Sequence, residues 1–491
     1  MDDIDLPPSA PILMESIRSI GYTTEAAVAD IIDNSISANA ENVKIRFSPF
    51  GTEPFIAILD DGEGMNSDEL NEAMRYGSTS PLLQRKDNDL GRFGLGLKTA
   101  SMSQCRCLTV ATKKNSKIEA RCWDLDYINK TGKWTLRNLE ENEQRKLPLI
   151  DELKKLKNGT VVIWTKIDRL IIGLDDTSIE RAFSDKMDNV REHIALVFHR
   201  YISGEFGLQK IKIYLNENII EANDPFFTKN SLVTQDDEKI RIDRSVVDIR
   251  SYVLPHPSKL TKEELEALGG KEGLRKNQGF YVYRNKRLLV WATWFRLHRK
   301  EEMSKLSRIR VDIPNSLDDL WTLDIKKSTA IPPEIVRKNL KRIVNNNSTH
   351  SKRTWTYRGK KETDDELIHL WDRISEREGI RYEINKKYPL VQIIKEKMDK
   401  DSLKLFDRFL DMIGSNIPLN ALYADLNNDE KFLMDDEELI LKQLKTLLFN
   451  IISADDQSFE EKIEIINVLK ITEPYGSYPD EFERILQDAR R

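Results

Sequence analysis

The sequence predicts an α/β protein built as three domains, and three observations predict it. Strand-like alternation at Val43–Phe47, Phe55–Leu59, Leu108–Ala111, Ile118–Trp123 and Thr160–Thr165 is interleaved with helical apolar spacing. At 491 residues the chain is too long for one core. Beyond residue 361 strand-like alternation fades and helical spacing takes over. The expected divisions are 1–240, 241–350 and 351–491.

Composition removes several classes of function. With 39% hydrophobic and 32% charged residues, the chain reads as soluble and globular rather than disordered. A net charge of -5 means that any nucleic-acid contact must come from a local basic patch. Cys105, Cys107 and Cys122 form no CxxC pair and have no His beside them, so they read as reduced core thiols rather than a zinc site. The acidic, polar N-terminus is not a signal peptide, and the apolar run Leu444–Ile452 is too short to span a bilayer. A cytoplasmic protein with no membrane partner is expected.

Leu6-Pro7-Pro8-Ser9-Ala10-Pro11 cannot be helical throughout, because proline removes donors and fixes φ. Ile12–Ile20 then has helical spacing. Thr23-Thr24 offers an N-cap for a helix over Glu25–Ser37, with Ile31, Ile32 and Ile36 as its buried stripe. Asp30 and Asn34 lie four apart and share a face of that helix. Such a pair can be merely solvated. It can also do chemistry: a carboxylate that polarises a water beside an amide oxygen that ligates Mg²⁺ near phosphates.

Phe55–Leu59 runs into Asp60-Asp61-Gly62-Glu63-Gly64-Met65. An acid at a strand end followed by alternating glycines lets backbone approach a flat ligand closely, and the exocyclic amine of adenine is a donor for a buried carboxylate. A calcium loop fails on spacing. Ser67–Tyr76 reads as a capped helix, followed by a polar loop over Leu82–Asp89. Gly91-x-x-Gly94-x-Gly96 leads into a helix from Leu97. Glycine-rich turns at helix N-termini bind phosphate, and Lys98 is a nearby cation. Neither the Walker loop nor the dinucleotide fingerprint fits, because Leu97 separates Gly96 from Lys98 and the glycine spacing is reversed.

Taken together, Ala29–Ala38, Ile58–Met65 and Leu90-Gly91-Arg92-Phe93-Gly94-Leu95-Gly96-Leu97-Lys98-Thr99-Ala100-Ser101-Met102 resemble the ATP-binding domain of the gyrase, heat-shock chaperone, histidine kinase and MutL (GHKL) superfamily. The last cluster, with Arg75-Tyr76-Gly77-Ser78, is similar to the MORC ATPases, and the chain resembles bacterial MORC- and MutL-like proteins associated with restriction and phage defence. The resemblance is close from Ser16 to Met102 and thinner to residue 330.

The resemblance implies an α/β sandwich of Bergerat type, a ribosomal-S5-like α/β transducer domain and an α-helical C-terminal region. It implies that ATP and Mg²⁺ are bound, with Asn34 ligating the metal and Asp60 accepting from the adenine amine. Gly62, Gly64 and Met65 would shape the adenine pocket, Thr160 would support the adenine-binding Asp60, and Ala38 belongs to the same cofactor-binding set. Gly91, Arg92, Phe93, Gly94, Leu95, Gly96, Leu97 and Lys98 would form the lid over the triphosphate. Two positions depart from the family. The general base, usually Glu, is Asp30, which is shorter by a methylene and implies slow turnover or a relay water. The Asp usual before Ala38 is Ser37. Glu25 is a weaker candidate base.

In the rest of the chain, Thr177–Arg200 reads as a long helix whose His193 and His199 lack a metal-binding companion, so both read as core or surface residues. Lys210–Leu215 and Val246–Val253 read as strands, Leu260–Leu268 as a helix, and Gly279–Val290 as a hairpin with Arg284-Asn285-Lys286 at its tip. Ile309–Ile313 and Leu320–Ile325 add strands, and Pro332-Pro333 opens a helix to Val344. By family analogy a transducer lysine, Lys326 or Lys327, reaches the γ-phosphate.

The segment 338–361 is basic with Trp355 and Tyr357 interleaved, suiting DNA contact or simply a solvated linker. Helices are expected over Glu366–Glu378, Pro389–Met398, Asp401–Ile413, Asp435–Ser453 and Phe459–Leu469, a tail for docking partner proteins or for dimerisation. The expected function is a slow Mg-dependent ATPase whose ATP-bound form dimerises as a clamp or switch in a DNA transaction such as restriction or phage defence. The alternative is a nucleotide-gated scaffold with little turnover. A histidine kinase is disfavoured for want of a phospho-acceptor helix upstream.

Overall fold

The computed structural model describes residues 8–19, 21–49, 53–77, 90, 96–171, 175–229, 231–233, 238–318, 320–323, 330–344, 368–376, 379–417, 437–453, 458–472 and 474–489. The chain divides into two compact units, Met1–Ser351 and Lys352–Arg491. Gly91–Leu95, Lys326, Lys327 and the basic residues 345–361 lie outside the described residues.

In the first unit, α1 (Ala10–Arg18) and α2 (Thr24–Ser37) precede β1 (Asn42–Ser48) and β2 (Phe55–Asp60). The Thr23 hydroxyl caps α2 by accepting from the Ala26 N–H. Next come α3 (Ser67–Met74), closed by an Asn66–Glu69 capping box, and α4 (Gly96–Gln104). The sheet is completed by β3 (Cys107–Lys114), β4 (Lys117–Asp124), β5 (Arg137–Asn138), β6 (Gly159–Thr165), β7 (Lys212–Leu215) and β8 (Asn218–Ile219). Among the described residues the strand order is β5-β4-β3-β6-β2-β1-β7-β8, antiparallel except for β1 beside β7.

Alternation along these strands builds two cores, one on each face. Ile56, Ile58, Val162, Trp164, Leu108 and Val110 pack under α1, α2 and α4. Ala57, Leu59, Val161, Ile163, Ala111 and Cys122 pack under α5 (Ile150–Lys155). The cysteines are free thiols as expected, with Cys107 Sγ 3.3 Å from Cys122 Sγ.

After the long helix α6 (Asp176–Val197) and the short α7 (His199–Ser203) comes a second sheet. It contains β9 (Glu238–Ile242), β10 (Ser245–Val253), β11 (Gly279–Arg284), β12 (Arg287–Thr293) and β13 (Ser307–Ile313), in the order β9-β10-β13-β11-β12, with Leu232–Val233 also pairing with β10. A helix over 334–344 covers it through Val336, Leu340, Ile343 and Val344. Thr322–Leu323 pairs with Ala330–Ile331, so the strand expected over Leu320–Ile325 starts at Thr322, and its expected end at Asp324 and Ile325 lies outside the described residues. His193 and His199 are structural: His193 packs edge-on against Trp291, and His199 Nε2 lies 2.8 Å from the Tyr283 hydroxyl.

The second unit is helical over α8 (Pro389–Glu396), α9 (Lys400–Ser415), α10 (Glu437–Ser453), α11 (Phe459–Lys470) and α12 (Pro479–Ala489). The helix expected over Glu366–Glu378 is corrected. Trp371–Glu376 pairs antiparallel with Gly379–Ile384 as a hairpin. The alternating Ile380, Tyr382 and Ile384 suit a strand, and Ile384 packs with Leu370, Tyr388 and Leu410. Leu405, Phe409 and Met412 are exposed along α9.

Trp164 is fully buried, and its indole N–H has no hydrogen-bond partner among the described residues. Trp164→Ala is expected to destabilise the first unit by about 3–5 kcal/mol. Trp164→Phe, which deletes the unmet donor and keeps most of the aromatic volume, should cost less than Trp164→Ala. Urea unfolding followed by near-ultraviolet circular dichroism measures both.

Candidate functional site

The end of β2 meets the last turn of α2, and Asp60 lies between them. Its side chain shares a face with Ile56 and Ile58, so it points under α2 rather than toward α5. The Ser35 hydroxyl donates to one carboxylate oxygen at 3.0 Å, and the Gly62 N–H donates to the other at 3.0 Å. Asp60 is 7% exposed, and burial pushes its pKa up to about 6, with these two donors acting in the opposite direction.

The strand register supplies a supporting layer. Asp60 sits opposite Thr160 on β6, and Thr160 sits opposite Thr112 on β3. The two threonine hydroxyls are 3.1 Å apart, and the Thr112 hydroxyl accepts from the Met65 N–H at 2.8 Å. The loop from Gly62 to Met65 is thereby stitched to three strands. Its glycines are required by space. A Cβ on Gly62 would lie 2.8 Å from the Ala38 carbonyl oxygen. Gly64 has φ +66, and a Cβ there would lie 2.1 Å from the Lys113 carbonyl oxygen. Ala38 also receives the Glu63 N–H, at 3.0 Å.

One and two turns back along α2 lie Asn34 and Asp30. Asn34 is exposed, and no hydrogen bond to its carboxamide occurs among the described residues. Asp30 is 3% exposed. The Tyr22 hydroxyl donates to it at 3.1 Å, and Arg287 Nη2 of β12 lies 3.7 Å from its other oxygen. A Cβ on Gly96, the first residue of α4, would lie 3.6 Å from the Asp30 carboxylate. The last glycine of the third motif therefore faces the carboxylate of the first. Glu25, the other acid considered, has one carboxylate oxygen buried without a hydrogen bond among the described residues.

Leu97 packs against the helical-face core. Lys98 is buried, and its ammonium donates to the Ala73 carbonyl at 2.9 Å and lies 5.9 Å above the Tyr76 ring. Burial lowers its pKa to about 8. In this arrangement Lys98 ties α4 to the end of α3.

The described residues thus bring together two groups: Asp60, Gly62, Gly64, Met65, Ala38 and Thr160 at the strand end, and Asp30, Asn34 and Gly96 along α2. Ser35, Thr112, Tyr22 and Arg287 are contributors that sequence reasoning missed. Ser35 adjoins Asn34 but points the other way, toward Asp60. Thr112 becomes visible only once β3 is placed beside β6. Arg287 comes from the second sheet, and only its position beside the hairpin tip was legible.

Residues 22–160 match the family model of histidine kinase-, DNA gyrase B- and HSP90-like ATPases. Over 122 residues the chain is 30% identical to the ATPase morc-1 of Caenorhabditis elegans, covering 24% of this chain and 14% of that protein. Over 114 residues it is 29% identical to the DNA mismatch repair protein MutL of Clostridium acetobutylicum, covering 22% of this chain and 18% of that protein. The chain therefore spans less than a fifth of either relative. Motif order, α/β architecture and family match agree: the domain spanning residues 22–160 belongs to the GHKL ATPase superfamily, and the chain is MORC- and MutL-like.

Proposed function

We propose that the protein binds Mg-ATP between α2, α4 and the end of β2, and hydrolyses it slowly to ADP and phosphate. One observation carries the reading: the buried Asp60 carboxylate is bonded by Ser35 of α2, the same helix whose Asp30 carboxylate lies beside Gly96, the first residue of α4. Asp60 would accept from the adenine amine, with Gly62, Gly64, Met65, Ala38 and Thr160 around the base. A buried carboxylate with a raised pKa gains most from a strong donor, which favours adenine there. The exposed carboxamide of Asn34 suits a Mg²⁺ ligand, since its oxygen is not committed elsewhere among the described residues. Bound there, the metal would offset phosphate charge.

Asp30 would polarise the attacking water. Its short reach supports slow turnover, since a small misplacement costs about 10²-fold. Gly91–Lys98 would close over the triphosphate, with Lys98 leaving Ala73 to do so, and Lys326 or Lys327 would reach the γ-phosphate. The ATP-bound form would dimerise and act in a DNA transaction, restriction or phage defence included. Support for the DNA role is the likeness to a mismatch repair protein and the basic segment, whose Lys338, Lys341 and Arg342 are exposed on the helix over 334–344. A cytoplasmic location fits this reading.

Phosphate release and light scattering test it. Wild type should hydrolyse ATP slowly and dimerise with a non-hydrolysable analogue. Asp30→Ala should lose about 10²-fold in turnover while retaining ATP binding, and Asn34→Ala should lose Mg-ATP affinity. No phosphate above background, with dimerisation intact, would replace this reading with the nucleotide-gated scaffold.

Asp60 also predicts a pH dependence. Its folded-state pKa is raised, so its ionisation removes stability as pH rises from about 4 to about 6. ATP acts oppositely, because the adenine amine favours the ionised form. ATP affinity should therefore climb as pH rises through about 6 and level off above it. Asp60→Asn should weaken binding at pH 7.5 by about tenfold or more and flatten this profile in calorimetric titrations.

A further inference from the structure

We propose that Cys107 and Cys122 form a reversible oxidation site: a hydroperoxide converts the two thiols into a disulfide across β3 and β4. The proposal does not depend on the ATPase reading, and none of the three nucleotide motifs takes part in it.

β3 and β4 form a hairpin through Asn115-Ser116, whose φ values of +51 and +66 make a tight turn. Its register sets Thr109 opposite Cys122 and Cys107 opposite Asp124, so the two cysteines are diagonal neighbours on one face. That face is the one under α5, where Cys122 belongs to the core and Cys107 packs against it. Their sulfurs lie 3.3 Å apart. Diagonal Cα atoms lie about 7–8 Å apart, near the limit that a disulfide spans, so closing the bond draws the strands together. Cys107 is the first residue of β3, and strand ends open most easily.

The two sulfurs have different roles. Cys107 is half-buried, whereas Cys122 is 3% exposed, so a small oxidant meets Cys107 first. The Cys122 thiol favours the ionised form of the Cys107 sulfur by donating to it, and the Thr165 hydroxyl, directly across on β6, and the Lys166 ammonium act in the same sense. Burial and Asp124 oppose them, and the net effect holds the Cys107 thiol below its ordinary range. Cys122 is held well above that range, by Cys107 first and by burial second. Cys105 has no such environment. It is fully buried in the core on the other face of the sheet, its thiol donates to the Ser101 carbonyl at 3.2 Å, and burial pushes its pKa up. A metal is not the better occupant of the pair, since no group of three His, Cys, Asp or Glu side chains that could hold one occurs among the described residues.

The chemistry balances in two steps. The Cys107 thiolate attacks one peroxide oxygen and the O–O bond breaks. Cys107 becomes a sulfenic acid, and the leaving oxygen takes up a proton to give an alcohol, or water when the oxidant is hydrogen peroxide. Cys122 then attacks the sulfenic sulfur, the S–O bond breaks, and the departing hydroxide leaves as water with the Cys122 proton. Two electrons pass from the sulfur pair to the peroxide. The second step is eased because the main cause that keeps Cys122 protonated, its contact with the Cys107 thiolate, has by then lost its charge.

Full-length protein treated with hydrogen peroxide, then blocked with N-ethylmaleimide under denaturing conditions, tests this by intact mass and peptide mapping. The wild type should lose two hydrogens, carry the maleimide on Cys105 alone, and yield one linked peptide pair, Cys107 with Cys122. Dithiothreitol should return all of its free thiols. Cys122→Ala should stop at a sulfenic acid on Cys107 that dimedone traps. Cys107→Ala should form no bridge and consume peroxide at least about tenfold more slowly than the wild type. Treated wild type that keeps every thiol free, or that links Cys105 instead, would overturn the proposal without recourse to a variant. Peroxide consumption by Cys107→Ala at the wild-type rate would overturn it as well.

Discussion

Three carboxylates lie on the helical side of the first sheet, and each is nearly excluded from water: Asp30 at 3%, Asp33 at 1% and Asp60 at 7% exposed. Burying an ionised carboxylate without partners costs several kcal/mol, on the order of a whole domain's net stability. Much of the surrounding architecture meets that constraint. Asp60 draws on the Ser35 hydroxyl and the Gly62 N–H, Asp30 on the Tyr22 hydroxyl, and Asp33 with Asp30 on Arg287.

The two solutions differ in kind. Asp60 is held by neutral donors that leave its pKa raised, so its environment is poised for a further strong donor. Asp30 and Asp33 face the Arg287 guanidinium, a full positive charge. One helix serves both environments, because Asp30 and Ser35 point in different directions from it.

The cation is delivered by the second sheet, and this gives the two sheets of the first unit a physical link. β11 and β12 do not merely pack beside α6 and α7. Their turn is fastened by Tyr201, and the strands beside it place Arg284 on the Leu90 carbonyl and Arg287 on α2. Arg200 adds a further buried pairing, bonding Asp312 of β13 and Glu205 together. A change in how the second sheet sits would be felt at Asp30 through these contacts.

Local pattern determined a good deal of this protein. The spacing of Asp30 and Asn34, the Asp60 strand end with its glycines, the cap at Thr23 and the alternation of β1, β2, β3, β4 and β6 are short-range properties. They follow from helical and strand periods and from what glycine alone permits at Gly64. The run at Glu366–Glu378 suits a helix as well as a strand because a short amphipathic run fits both periods, and the strand is selected by pairing with Gly379–Ile384, which packs through Ile384 on Tyr388 and Leu410. Tertiary structure alone decided that Thr112 supports Thr160, which depends on the register of β3 against β6. It alone brought Arg287 to helix α2, because a salt bridge between residues 254 positions apart leaves no periodic trace in either segment.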